Sequence, residues 1–233
     1  LSTSNSNSII LSIDEAKVAI LLAEYKKAIA TLIPIIEHFK KQDLPPSSGL
    51  YDVYVMLGMI ALTIEDYKKS IEYYEESLRI AKKLEYKANY EVCIGLARAY
   101  LYNGDIEKSK IITDCLYLDL KEVDRDNRGT YFAEMYYNIA CRYLVQENME
   151  QAEIYFLYAI EQFKTRSIYG YGNRGEVGIA RCQYQLGNML WGQRMEDAKN
   201  YYCKALEIFK ACLGNEHIET IRCKEMIGRC KKS

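Results

Sequence analysis

The sequence predicts an all-α protein: a solenoid of about five helix-turn-helix repeats closed by a last, unpaired helix. Three observations carry this. Apolar residues recur at three- and four-residue steps almost throughout the chain, the period of a helix with one buried face. Runs of β-branched residues bounded by turns are absent, and proline occurs only at Pro34, Pro45 and Pro46. Five segments also align when set one under another. A small residue holds one place in each first helix (Ala16, Gly58, Ala97, Ala140, Gly187) and another in each second helix (Ala28, Ser70, Ser109, Ala152, Ala198). Each marker stands roughly forty residues after the last, and Gly228 continues the series.

The head of the chain, "LSTSNSNSII", is polar, with no basic start and no signal-peptide core. Residues 1–8 are expected to be a polar linker. Without an initial Met, the chain reads as a fragment of a longer protein or as processed. The helical domain is expected over 9–231. Its first repeat, 9–42, pairs "IDEAKVAILL" with "YKKAIATLIPI". The second, 49–85, pairs "YVMLGMIAL" with "YKKSIEYYEES", where Tyr67, Ile71, Tyr74, Leu78 and Ala81 form one stripe and the charges lie opposite. The third, 88–122, pairs "CIGLARAYL" with "IEKSKIITDCL". Asn103 and Gly104 end one helix there, and Asp105 caps the next. The fourth, 131–166, pairs "YNIACRYLV" with "MEQAEIYFLYA", and the fifth, 176–213, pairs "YQLGNMLW" with "MEDAKNYYCKA". A capping helix is expected over 216–231.

The small markers have a physical reason. Antiparallel helices joined by a short loop pack at roughly 8–10 Å. A small side chain at the crossing permits that approach, and large neighbours such as Tyr54, Leu57 and Ala61 fill the flanks.

"GYGNRG" at 170–175 fits the glycine pattern of a dinucleotide site, which needs a strand before it and a helix after it. A helical stretch, "MEQAEIYFLYAIEQFKTR", precedes it instead. "SIYGYGNRGE" therefore reads as the connector between the fourth and fifth repeats, with its exposed Tyr169, Tyr171, Asn173 and Arg174 as a lesser candidate contact.

Composition narrows the function classes. Hydrophobic residues are 49% and charged residues 27%, as in a core-forming soluble chain. A net charge of −1 gives no field that would favour nucleic acid or an anionic membrane. The longest apolar run, "VYVMLGMIAL" at 53–62, is too short to span a bilayer. The eight cysteines show no C-x-x-C pair and fall mostly in apolar stripes. They are expected to be reduced and structural, which places the chain inside the cell, in the cytoplasm. Cys212, His217 and Cys223 come together in "CLGNEHIETIRC", but at no familiar zinc spacing. No metal or other cofactor is expected. No G-x-S-x-G or H-E-x-x-H occurs, so the chain is not expected to be an enzyme.

The repeat pattern resembles the tetratricopeptide repeat family over about residues 9–231. "YVMLGMIA…SIEYYEES" and "YYNIACRY…AEIYFLYA" match its order of large, small and aromatic positions. The end, "LGNEHIETIRCKEMIG", is similar to the LG-x-x-H-P-x-T segment of kinesin-light-chain-like repeats, with Ile218 where that segment has Pro. The resemblance implies a right-handed superhelix whose first helices line a concave groove. Its groove positions here are Asp52, Val55, Met59 and Leu62 in the second repeat and Glu91, Ile94, Arg98 and Leu101 in the third. The fourth gives Glu134, Tyr137, Cys141 and Leu144 with Asn138 alongside, and the fifth Arg181, Tyr184, Asn188 and Trp191. The groove would be apolar at its N-terminal end, then polar and aromatic. Val55 and Met59 stand where chaperone-binding members place a carboxylate clamp, so no such clamp is expected. Kinesin-light-chain-like members hold an extended peptide with Asn on their first helices, the place of Asn138, with Asn188 one turn-step away.

The expected function is a protein–protein interaction module, an adaptor or scaffold that binds a peptide or partner segment in its groove. The candidate contacts are Arg98, Glu134, Tyr137, Asn138, Arg181, Tyr184, Asn188 and Trp191. One alternative is a peptide-sensing regulatory domain of a signalling or transcription-regulating protein. The second is the substrate-recruiting domain of a larger enzyme. Partners are expected to be protein or peptide, with no nucleic acid and no membrane insertion.

Overall fold

Residues 3–86, 89–122, 130–167 and 173–230 are described in the computed structural model. Among them eleven α-helices follow one another: α1 (Thr3–Leu21), α2 (Tyr25–Lys41), α3 (Ser48–Thr63), α4 (Tyr67–Lys83), α5 (Tyr90–Tyr102), α6 (Ile106–Glu122), α7 (Tyr131–Val145), α8 (Met149–Ser167), α9 (Arg174–Leu190), α10 (Met195–Leu213) and α11 (Ile218–Cys230). No strand occurs among them. Successive helices pack on one another, as α1 on α2, α3 on α4, α7 on α8 and α9 on α10, and α11 closes against α10.

Very short turns produce this pairing. At the end of α3, the N–H of Glu65 donates to the carbonyl of Leu62 and that of Asp66 to Ala61, so the last free carbonyls of the helix are satisfied. Asp66 then caps α4, accepting from Lys69 N–H at 3.3 Å. One residue thus ends one helix and starts the next. The same pair of backbone bonds closes α1 at Ala23 and Glu24, α5 at Gly104 and Asp105, and α7 at Glu147 and Asn148. Asn148 in turn caps α8 through Gln151 N–H. The pivot of each turn is left-handed: φ is 58° at Ala23, 68° at Glu65, 94° at Gly104 and 58° at Glu147. The fifth pair differs. Gln193 N–H donates to Leu190, with Trp191 at φ −58° and ψ 131° and Gly192 at φ 82°, the geometry of a type II turn.

Two compact units make up the chain, 1–112 and 113–233. In the first, Ala16, Leu32, Val53, Leu57 and Ile60 lie in one core, and Tyr74, Val92, Leu96 and Tyr100 in an adjoining one. In the second, Val177, Ala180, Ala198, Tyr202, Phe209 and Cys223 form a core between α9, α10 and α11. The small markers admit aromatic rings. A Cβ on Gly58 would stand 2.8 Å from the Tyr74 ring, and one on Gly187 2.7 Å from Tyr202. Buried Ser70 donates its hydroxyl to the Gly58 carbonyl.

Two expectations change. The stretch 1–8 read as a linker is helical from Thr3, because α1 extends back into the polar head. Of the glycine-rich connector, residues 168–172 lie outside the described residues. Its end is helix rather than loop, for Arg174, Gly175 and Glu176 form the first turn of α9 and Gly175 is buried. Glycine serves close packing there: further along, a Cβ on Gly178 would stand 2.4 Å from Phe163.

Candidate functional site

The candidate contacts fall in both units. Arg98 lies half-buried on α5 in the first. There too, Met59 is exposed, and Val55 and Leu62 pack against the cluster around Tyr74. The remaining seven lie in the second unit, on α7, on α9 and at the end of α9, where α7 and α9 run side by side.

A chain of hydrogen bonds crosses this face. The Tyr202 hydroxyl on α10 donates to Asn188 Oδ1 at 2.8 Å. The Asn188 amide donates to Gln185 Oε1 at 3.0 Å, and Gln185 Nε2 donates to the Tyr137 hydroxyl on α7 at 3.4 Å. The helical period places Arg181, Gln185 and Asn188 on one stripe of α9, at i, i+4 and i+7. Asn188, a candidate groove contact, is thus hydrogen-bonded within the fold while half-exposed. Tyr137 is buried, with its ring edge-on to Phe156 at 5.7 Å. Asn138 is only 2% exposed, so it lies in the body of the unit rather than on its surface.

Arg181 is gripped from the last helix. Its Nε donates to Glu219 Oε1 at 2.6 Å and its Nη2 to Oε2 at 3.2 Å, a two-pronged ion pair. The side chains are 32% and 18% exposed. Burial pulls the guanidinium down. The charge and hydrogen bonds of Glu219, then Glu134 and Tyr137, more than offset that and raise it overall. His217 sits beside the pair, accepting from the Glu219 N–H at its Nδ1, 3.3 Å away. Burial holds His217 below its ordinary value; Glu219 opposes this, and Arg181 and Arg222 add to it. Trp191 and Tyr184 both flank the ring of Tyr202, with centroids 6.4 and 5.4 Å away, and burial pushes that phenol up.

Sequence reasoning passed over Gln185, Glu219 and Tyr202. Gln185 was in reach, one turn from both Arg181 and Asn188. Glu219 was not, since nothing local ties it to a residue on another helix.

Among the described residues no group of three His, Cys, Asp or Glu is placed to hold a metal. The Cys223 thiol turns to the Tyr202 carbonyl at 3.0 Å, and burial pushes it up to about 12. No disulfide joins the described cysteines.

The tetratricopeptide repeat model matches residues 51–84, the second helix pair. No curated protein matches the chain. Among solved structures, BtubC (BKLC) from P. vanneervenii is similar, at 17% identity and a TM-score of 0.52, over 96% of this chain and 83% of that one. A Podosopora anserina putative kinesin light chain of nearly identical TPR-like repeats is similar at 14% identity and a TM-score of 0.54, over 88% of this chain and 96% of that one. A second structure of that protein, carrying one substitution, gives 15% identity and a TM-score of 0.55, over 88% and 95%. At such identities the likeness is one of fold. The chain has the helix-pair solenoid fold of tetratricopeptide repeats.

Proposed function

We propose that this chain is a non-catalytic interaction module that holds a segment of a partner protein against the face built by α7 and α9. Folds of this kind serve generally as protein-binding scaffolds. The hydrogen-bond chain from Tyr202 through Asn188 and Gln185 to Tyr137 carries the reading, because it fixes two amides of α9 beside the Tyr137 hydroxyl of α7. An amide donates and accepts at once, which suits the backbone of an extended peptide. Groups already fixed lose little entropy when a ligand arrives. Arg181 and Glu134 add charge beside the amides, and Trp191 adds rigid aromatic area. Eight cysteines without a disulfide among the described residues fit an intracellular site of action.

Photo-crosslinking in cells tests this. A crosslinking amino acid at Glu134 or Leu144 on α7 is expected to capture one protein that the same group at exposed Leu157 or Lys204 does not. Affinity for that protein should then fall about tenfold in Gln185→Ala, roughly one well-made hydrogen bond, with helicity unchanged by circular dichroism. Capture only from Leu157 or Lys204, or unchanged affinity in a folded Gln185→Ala, would move the site off this face.

A further inference from the structure

The first unit carries a trough that the face described above does not use, and we propose that it docks an acidic amphipathic segment of a partner protein. Glu75, Leu78, Arg79 and Lys82 form one wall, a single stripe of α4, and Lys108, Ile111 and Ile112 the other, on α6. Leu96 and Tyr100 of α5 make the floor. The trough holds about 600 Å³, the volume of a side-chain-sized pocket or larger. Of its apolar lining, Ile111 is 60% exposed and Leu78 and Ile112 are partly so, above buried Leu96 and Tyr100. A large apolar side chain left so open beside other apolar groups marks a contact surface.

The rim decides which partner fits. Three cations, Arg79, Lys82 and Lys108, stand on the walls against one carboxylate, Glu75, which already accepts the Tyr100 hydroxyl. Just outside the lining, Glu76 holds Arg79, and Asp105 lies 3.5 Å from Lys108, whose ammonium sits 4.8 Å over the Tyr100 ring. Both are ion pairs within one helical turn, between side chains open to water, and such pairs contribute little. They yield readily to a carboxylate that arrives with apolar surface behind it. The occupant is therefore a helix with leucine-like residues at helical spacing on one face and glutamates or aspartates beside them, the helix-in-groove mode.

Fluorescence anisotropy on the whole chain tests this with three labelled peptides: an amphipathic helix with leucines on one face and glutamates flanking them, the same peptide with lysine for glutamate, and a scramble of the first. The glutamate peptide is expected to bind about tenfold or more tighter than the lysine peptide, and less tightly as salt rises. Lys82→Glu with Ile111→Glu, both at exposed positions, should abolish the preference with helicity intact. Gln185→Ala, in the other unit, should leave it unchanged, so this proposal and the α7–α9 reading fail separately. Equal binding of the two charged peptides, no binding of the glutamate peptide, or a preference that survives the double substitution would overturn it. So would pelleting with phosphatidylserine–phosphatidylcholine vesicles that the double substitution abolishes, without peptide binding; the trough would then face a membrane.

Discussion

Tyr74 is confined from two sides. A Cβ on Gly58 would stand 2.8 Å from its ring, and one on Gly95 2.6 Å from its hydroxyl. Alanine improves helix propensity by about 1 kcal/mol over glycine, whereas overpacking costs about 1–3 kcal/mol. The ring cannot retreat from one glycine without meeting the other helix, so the clash wins. Gly58→Ala is expected to destabilise by about 1 kcal/mol or more in urea unfolding; a gain in stability would show that the ring has room. Gly58 was legible from the repeat, but Gly95 was not, because its neighbour comes from the preceding pair. His217 supplies a second prediction. Its pKa is depressed below the ordinary value of about 6.5. The unfolded chain then takes up a proton that the folded one resists. The stability tied to neutral His217 is complete above pH 6.5 and is lost as pH falls from there through the folded value. His217→Asn should therefore lose less stability than the wild type between pH 7.5 and 5.5. Parallel losses in the two proteins would mean that the imidazole titrates as freely folded as unfolded.

Helices and their turns were legible to different degrees. Periodicity exposes a helix because burial acts on the whole stripe. A turn is written in one or two residues, and here those residues often break the usual preference. Asn103, Gly104 and Asp105 announce their turn, with glycine in the left-handed place. Glu65 and Glu147 fill the same place at φ 68° and 58°, where the packing of two helices holds a side chain that local preference disfavours. The start of α9 was obscured for the opposite reason: Gly175 and Gly178 read as loop, yet they lie in a helix where close packing needs them small. Gly104 offers a clean test of the turn. Nothing lies within 4 Å of a Cβ placed there, so Gly104→Ala changes backbone strain alone. It should cost about 1–2 kcal/mol in urea unfolding, with hydrogen exchange faster first at the facing ends of α5 and α6. A neutral effect would mean that the turn can reshape without its left-handed residue.

For the molecule as a whole, the repeat markers announced stacked helix pairs, but the face proposed to meet a partner was only half legible. The register named Arg181, Tyr184, Asn188 and Trp191 as neighbours on α9. It could not reveal that Glu219 grips the first or that Tyr202 engages the third, because those partners come from other helices. Nor could it reveal that Asn138 is enclosed. A substitution at this level should act through neighbours only, since in stacked repeats each unit of structure touches those beside it. Ala140 is fully buried on α7, at the small-residue place of its pair. Leucine there would overpack α7 against α8 and cost about 1–3 kcal/mol. Hydrogen exchange should then quicken in α7, α8 and α9, while α1 to α3 keep their protection. Exchange that rose equally along the chain would show one all-or-none unit in place of nearest-neighbour coupling, and exchange unchanged everywhere would show that Ala140 does not set the spacing of its pair.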